Sequence, residues 1–146
     1  ARPVRRARST GACAGGPVQG LPGRGPDVRP GTVMGATFRR LADHGSKQPV
    51  ALPPSWQREN LQFNQKTPFN FVSTADIIGG NSGSPVINKD AEIVGIIFDG
   101  NLSALVLDFV YTDQQARAIS VHSQAIVEAM RKIYGAGELA RELTGK

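Results

Sequence analysis

Cysteine is almost missing from this chain: Cys13 stands alone among 146 residues. A single thiol cannot close an internal disulfide, and no cluster of Cys and His has metal-binding spacing. No run of 18 apolar residues occurs, so none is expected to cross a membrane as a helix. The first residues lack the apolar core of a signal peptide and the chain does not begin with Met, so an export signal, if one exists, lies outside this sequence. Histidine is nearly as scarce, with only His44 and His122. Any proton-transfer chemistry built on imidazole must use one of these two or a group from elsewhere.

Charge of one sign is missing from most of the chain. The net charge is +5, but residues 1–30 hold six Arg and one Asp, and the other 116 residues are balanced. Residues 1–30 also hold five Pro and six Gly and no aromatic residue. Such a composition cannot bury enough surface of its own to offset ordering. The segment is therefore expected to be disordered, a tail or sequence foreign to the fold. Its functional alternative, a basic arm for nucleic acid, lacks aromatic side chains to stack on bases.

From Gly31 the pattern becomes that of a globular domain, residues 31–146. A short strand and a helical turn are expected in "GTVMGATFRRLADHG", and a short helix around Ser55–Asn64 follows a Pro-Pro pair. Five short strands are expected between Thr67 and Val121: "FNFVS", "PVIN", "AEIVGIIFDG", "ALVLDFVYT" and "ARAISV". They predict an antiparallel, mainly β unit, a barrel or sandwich. Ser123 is placed as the N-cap of an amphipathic helix presenting Ile126, Met130 and Ile133, and a second helical turn covers Glu138–Leu143.

The stretch "IIGGNSGSPVIN" carries the candidate chemistry. A serine hydroxyl becomes a nucleophile only with a base to take its proton and donors to hold the oxyanion. Glycine-rich turns expose backbone N–H groups and let substrate approach closely. The Gly-x-Ser-x-Gly elbow of α/β-hydrolases fails here, because Ser84 fills its last position and a strand follows. "GNSGSP" (Gly80–Pro85) matches the Gly-Asp-Ser-Gly-Gly-Pro turn of chymotrypsin-like proteases, with Asn81 for Asp and Ser84 for Gly. The same composition is also ordinary for a loop, and the turn alone decides nothing.

The surroundings decide more. "TPFNFVSTADIIGGNSGSPVIN", "EIVGIIFDGN" and "LVLDFVYTDQQARAISVHSQAIVEAMRKIYGA" together resemble the C-terminal end of the bacterial dipeptidyl-peptidase 7/11 family. These are chymotrypsin-like serine exopeptidases that remove dipeptides from peptide N-termini. The resemblance extends from about Gly31 to Lys146. It implies a fold: the C-terminal β-barrel half of a chymotrypsin-like double barrel, ending in an amphipathic helix. It makes Ser82 the nucleophile and the backbone N–H groups of Gly80 and Ser82 the oxyanion hole. Gly100 takes the position that sets preference for the residue before the cut bond. Acid-specific members look to have arginine there, able to hold a carboxylate bidentately, so glycine implies apolar rather than acidic preference. Asp99 is the candidate to anchor the substrate's free α-amino group; its other reading is a turn residue of an Asp-Gly pair.

The base and its orienting acid are missing from this pattern. His44 lies too close to Ser82 in sequence for the two-barrel arrangement, and His122 follows the nucleophile; both read as surface or capping residues. The resemblance places the catalytic His and Asp upstream, in a chain several times longer, and so implies a fragment that is inactive alone. It also implies peptide substrates with a free N-terminus, no metal and no cofactor, no nucleic-acid partner, a homodimer for the full-length protein, and a periplasmic or secreted location in a Gram-negative cell. Competing readings are a chymotrypsin-like endopeptidase and a non-enzymatic module with a basic tail.

Overall fold

The computed structural model of the chain describes residues 14–23, 27–45, 47–58 and 63–145. These fall into two compact units. One joins the residues before Thr32 to Asn70–His122, and the other joins Thr32–Phe69 to the residues after His122.

The sheet is built from β1 (Gly31–Val33), β2 (Pro68–Ser73), β3 (Pro85–Ile87), β4 (Ile93–Gly100) and β5 (Ala118–His122), in the order β1-β2-β5-β4-β3. The pairs β2–β5, β5–β4 and β4–β3 are antiparallel. The expected antiparallel β architecture is present, but the sheet is open, with β1 and β3 at its edges, rather than closed into a barrel. β4, the longest strand, pairs with both β5 and the edge strand β3. Its Ile and Val residues favour extended backbone, and Gly95 lets the Phe71 ring lie against the strand, where a Cβ would come within 2.7 Å of that ring. Between Ile97 and Asp99 the register against β5 slips by one residue. This bulge at Phe98 re-aims the last residues of β4.

One expected strand is absent. Residues of "ALVLDFVYT" form instead a 3₁₀ helix, Leu102–Asp108. The run is apolar without strict alternation, so its period does not specify a strand. A threefold repeat serves it better: Ala104 and Leu107 are buried with Ala116, while Leu102, Leu105 and Val106 are exposed. Leu102 is 88% exposed and Phe109, just past the helix, 83%.

In the second unit lie α1 (Met34–Asp43), α2 (Pro54–Arg58), α3 (Ser123–Lys132) and α4 (Gly137–Thr144). α1 buries Met34, Phe38 and Leu41, an i, i+4, i+7 stripe. Phe63 packs between Phe38 and Trp56. Glu128 of α3 accepts the Asn64 N–H at 2.6 Å and the Thr67 hydroxyl. The face that α3 buries is narrower than expected. Ala125 and Ala129 are its buried residues, and Ile126, Met130 and Ile133 are half-buried, because small residues are what a close helix contact admits.

The expectation of disorder for residues 1–30 does not describe those of them that are seen. Residues 1–13 and 24–26 lie outside the described residues, but the rest is tied to β2. Gln19 N–H donates to Val72 O (3.3 Å), Thr74 N–H to Pro17 O (3.1 Å) and Val72 N–H to Pro30 O (2.8 Å). Leu21 and Val28 exchange both backbone bonds with each other. A Pro/Gly-rich segment needs no core of its own where a sheet supplies partners for its backbone.

Arg117 fastens this segment. The side chain is 1% exposed and all its described partners are carbonyls. Nε donates to Gln19 O (2.9 Å) and Gly20 O (3.1 Å), Nη2 to Gly20 O (2.8 Å), and Nη1 to Asp113 O and Ala116 O (both 2.7 Å). Removing the guanidinium orphans these carbonyls together. Arg117→Met should therefore cost about 3 kcal/mol or more. Urea denaturation checks the loss, and limited proteolysis should show faster cleavage within residues 14–23. A variant as stable and as resistant as the parent would contradict the clamp.

Candidate active site

The turn holding Ser82 is made of two successive reverse turns. Asn81 N–H donates to Ile78 O (3.2 Å) and Ser84 N–H to Asn81 O (3.0 Å). Gly80 and Gly83 occupy the third position of each turn with φ of 101° and 91°. That is the left-handed region that type II turns demand and that side-chain-bearing residues avoid. The glycines flanking Ser82 are thus fixed by backbone conformation. Asn81 adds a second lock: its side-chain Oδ1 accepts the Ile78 N–H at 2.9 Å. Asparagine at this position, read from sequence only as a departure from Asp, holds the turn from within.

The turn is also sewn to β4. Gly83 N–H donates to Ile97 O (2.8 Å), and Ile97 N–H to Ser84 O (3.1 Å). Ser82 is exposed, and its hydroxyl donates to the carbonyl of Phe98, the bulge residue, at 3.3 Å. The backbone N–H groups of Gly80 and Ser82 have no acceptor among the described residues.

Beside Ser82 opens a cavity of about 340 Å³, within the range of small-ligand pockets. Ser82, Asp99 and Gly100 all line it. The structure thus brings together three of the four residues singled out from sequence. Gly80 is not itself a lining residue, though its neighbours Gly79 and Asn81 are. The remaining wall is largely apolar: Ile77, Ile78, Ile97, Phe98, Ala104 and Leu105. Asp108 and Asn101 complete it, and no Lys, Arg or His is among the lining residues. Sequence reading missed the contribution of Ala104, Leu105 and Asp108, because it placed that run in a strand; the i, i+3 spacing of Leu105 and Asp108 was the available signal. Asp99 accepts the Gly100 N–H at 2.8 Å through Oδ1, so its carboxylate caps the strand end while facing the cavity.

Neither histidine supplies a base here. His122 pairs with Gly95 at the far end of β5 and meets the Phe71 ring edge-on, with centroids 5.9 Å apart. His44 caps α1, its Nδ1 bonded to Arg40 O at 3.0 Å. No group of three His, Cys, Asp or Glu among the described residues could hold a metal, and no described helix is long and apolar enough to cross a membrane.

Burial lowers the His122 pKa below its ordinary 6.5 and raises that of Asp76 above 3.8. The folded state prefers neutral His122, so the unfolded chain takes up the proton first. The stability this group contributes is full above the unfolded value and is lost as pH falls through the lower, folded value. Asp76 acts in the opposite sense and at more acidic pH. His122→Gln should therefore narrow the loss of stability between about pH 7 and pH 5, measured as the difference in urea midpoint between variant and parent. An unchanged pH slope would remove His122 as the cause.

Comparison with known proteins bears on what this cavity belongs to. The sequence profile of the peptidase S46 family matches residues 7–145. The match thus begins inside the segment expected to be foreign to the fold. An Asp/Glu-specific dipeptidyl-peptidase of Shewanella putrefaciens is 35% identical over 112 residues, covering 72% of this chain and 15% of that protein. Dipeptidyl-peptidase 7 of Phocaeicola vulgatus is 40% identical over 81 residues, 56% of this chain and 11% of that one. Among solved structures, Porphyromonas endodontalis DPP11 in complex with substrate superposes on 88% of this chain and 20% of its own, with a TM-score of 0.73 at 22% identity. The likeness shows a common fold. The chain spans a small part of the length of each of these relatives.

Proposed function

Since the chain belongs to the peptidase S46 family, we propose that it carries the nucleophile and the specificity cavity of a serine dipeptidyl-peptidase. The observation that carries this reading is the meeting of Ser82, Asp99 and Gly100 around one cavity. The Ser82 oxygen attacks the carbonyl carbon of the scissile peptide bond, and its proton passes to a base. The N–H groups of Gly80 and Ser82, which have no acceptor among the described residues, hold the oxyanion. Collapse of the tetrahedral intermediate breaks the C–N bond, and the proton leaves with the new amine. Water then releases the dipeptide from the acyl-serine.

Asp99 anchors the substrate's α-ammonium. A carboxylate at the cavity wall opposes a positive charge at fixed distance from the cut bond, which counts two residues from the free N-terminus. Gly100 leaves the cavity open, and its apolar wall, with no cation to pair with a carboxylate, favours apolar over acidic residues before the cut. The names of the relatives include both dipeptidyl-peptidase 7 and Asp/Glu-specific enzymes, so the preference rests on this chain's own cavity.

The base and its orienting acid come from parts of the fold outside the described cavity, in the longer protein of which this chain is a C-terminal portion. We place that protein outside the cytoplasmic membrane, in the periplasm or secreted, as a homodimer.

Two measurements test this reading. The purified chain should show no steady turnover of a dipeptidyl reporter, because oxyanion donors and binding alone leave only about 10³–10⁴-fold over water even in an otherwise intact site. Turnover abolished by Ser82→Ala would overturn the assignment of the base to another part of the protein. Ligand-detected NMR should show Gly-Leu binding more tightly than N-acetyl-Gly-Leu, a difference that Asp99→Asn removes. Equal binding of the blocked peptide would favour an endopeptidase.

A further inference from the structure

We infer that Ala104, and not Gly100 alone, decides which side chains the cavity accepts. The inference rests on the reading that this cavity receives the residue before the cut bond. A Cβ built on Gly100 would lie 2.8 Å from the Ala104 Cβ and 3.1 Å from Ile77 Cδ1. Both distances are shorter than ordinary contact. The backbone at Gly100 is outside the left-handed region, so contact is the obstacle to a side chain there, and conformational strain is not.

The two neighbours are unequal obstacles. Ile77 Cδ1 ends a rotatable side chain and can swing aside. The Ala104 Cβ is fixed to the 3₁₀ helix, and it yields only if that helix moves. The helix is held at its start: Ala104 N–H donates to Asn101 O (2.8 Å), Asn101 N–H to Arg117 O (3.0 Å), Arg117 N–H to Asn101 Oδ1 (2.9 Å), and Asn101 Nδ2 to Gln115 O (2.7 Å). It is held along its length by Ala104 and Leu107, buried with Ala116 and packed against Ile77. The wall behind Gly100 is therefore rigid.

Glycine at position 100 is thus imposed by alanine at position 104. A cationic side chain at 100, which would turn the cavity toward acidic residues, cannot be gained alone: residue 104 must first give up its Cβ. Positions 100 and 104 act as one specificity element, and the 3₁₀ helix is the part of the fold that sets it.

The experiment is a double-mutant cycle on the full chain, read by thermal melting and by dipeptide binding. Gly100→Ala should lower the melting temperature by roughly 4 °C or more. In the presence of Ala104→Gly the same change should cost little, so that the double variant melts close to Ala104→Gly alone. Additive losses would overturn the steric coupling. For binding, Gly100→Arg with Ala104→Gly should hold Gly-Asp about tenfold more tightly than the parent does, as a new carboxylate pair would. Gly100→Arg alone should show no such gain, or should fail to fold. Equal gain with and without Ala104→Gly would overturn the role of Ala104. If melts couple but no variant, the parent included, binds Gly-Leu or Gly-Asp, the substrate reading of the cavity fails and with it the role in acceptance.

Discussion

One buried guanidinium organises the unit that carries Ser82. Arg117 is sealed from solvent and meets only carbonyl oxygens among its described partners. A charge in such a place is tolerable because arginine has five donors in a rigid plane and a weakly held hydration shell. Its directed N–H groups replace water with oriented backbone dipoles. The carbonyls belong to two stretches far apart in sequence: residues 19–20, and Asp113 with Ala116. One side chain therefore decides where the N-terminal segment runs and where the loop entering β5 turns. Its own backbone, through Asn101, fixes where β4 hands over to the 3₁₀ helix. The cavity wall inherits its shape from that junction.

Much of this was legible in the sequence where local chemistry and the larger pattern agree. The turn at Gly79–Pro85 was readable because glycine at two positions, three residues apart, is the signature of positive φ. β2, β4 and β5 were readable because β-branched and aromatic residues end at glycine or polar breaks. The α3 helix was readable from its period. The partnership of Ser82, Asp99 and Gly100 followed from the family resemblance, since residues 17 and 18 positions apart carry no local sign that a hairpin will bring them to one cavity.

What was not legible has physical causes. The run around Leu102–Asp108 has too little alternation to distinguish a strand from a 3₁₀ helix, and the choice is made by tertiary burial of Ala104 and Leu107. Residues 14–23 look unstructured because composition counts only what a segment can bury itself; their partners are β2 and Arg117, and neither is visible from the segment. The buried arginine was invisible for a related reason. In "QQARAIS" it reads as one more surface charge, and only the fold reveals that four backbone carbonyls converge on it.

The 3₁₀ helix has a consequence for how this protein can change over evolutionary time. Its three rows face differently, and Ala104 serves twice, in the core and in the cavity wall. Ala104 and Leu107 face the core, Leu105 and Asp108 face the cavity, and Val106 with Phe109 faces outward. Substitutions at the exposed rim residues Leu105 and Asp108 leave the buried Ala104 and Leu107 undisturbed, so that part of the rim is free to diversify. A one-residue insertion or deletion is different in kind. It turns every later residue by a third of a revolution, exchanging core, rim and surface in one event. The segment is thus permissive to changes of letter and intolerant of changes of length, and new specificities reached through it should keep its spacing from β4 to β5 intact.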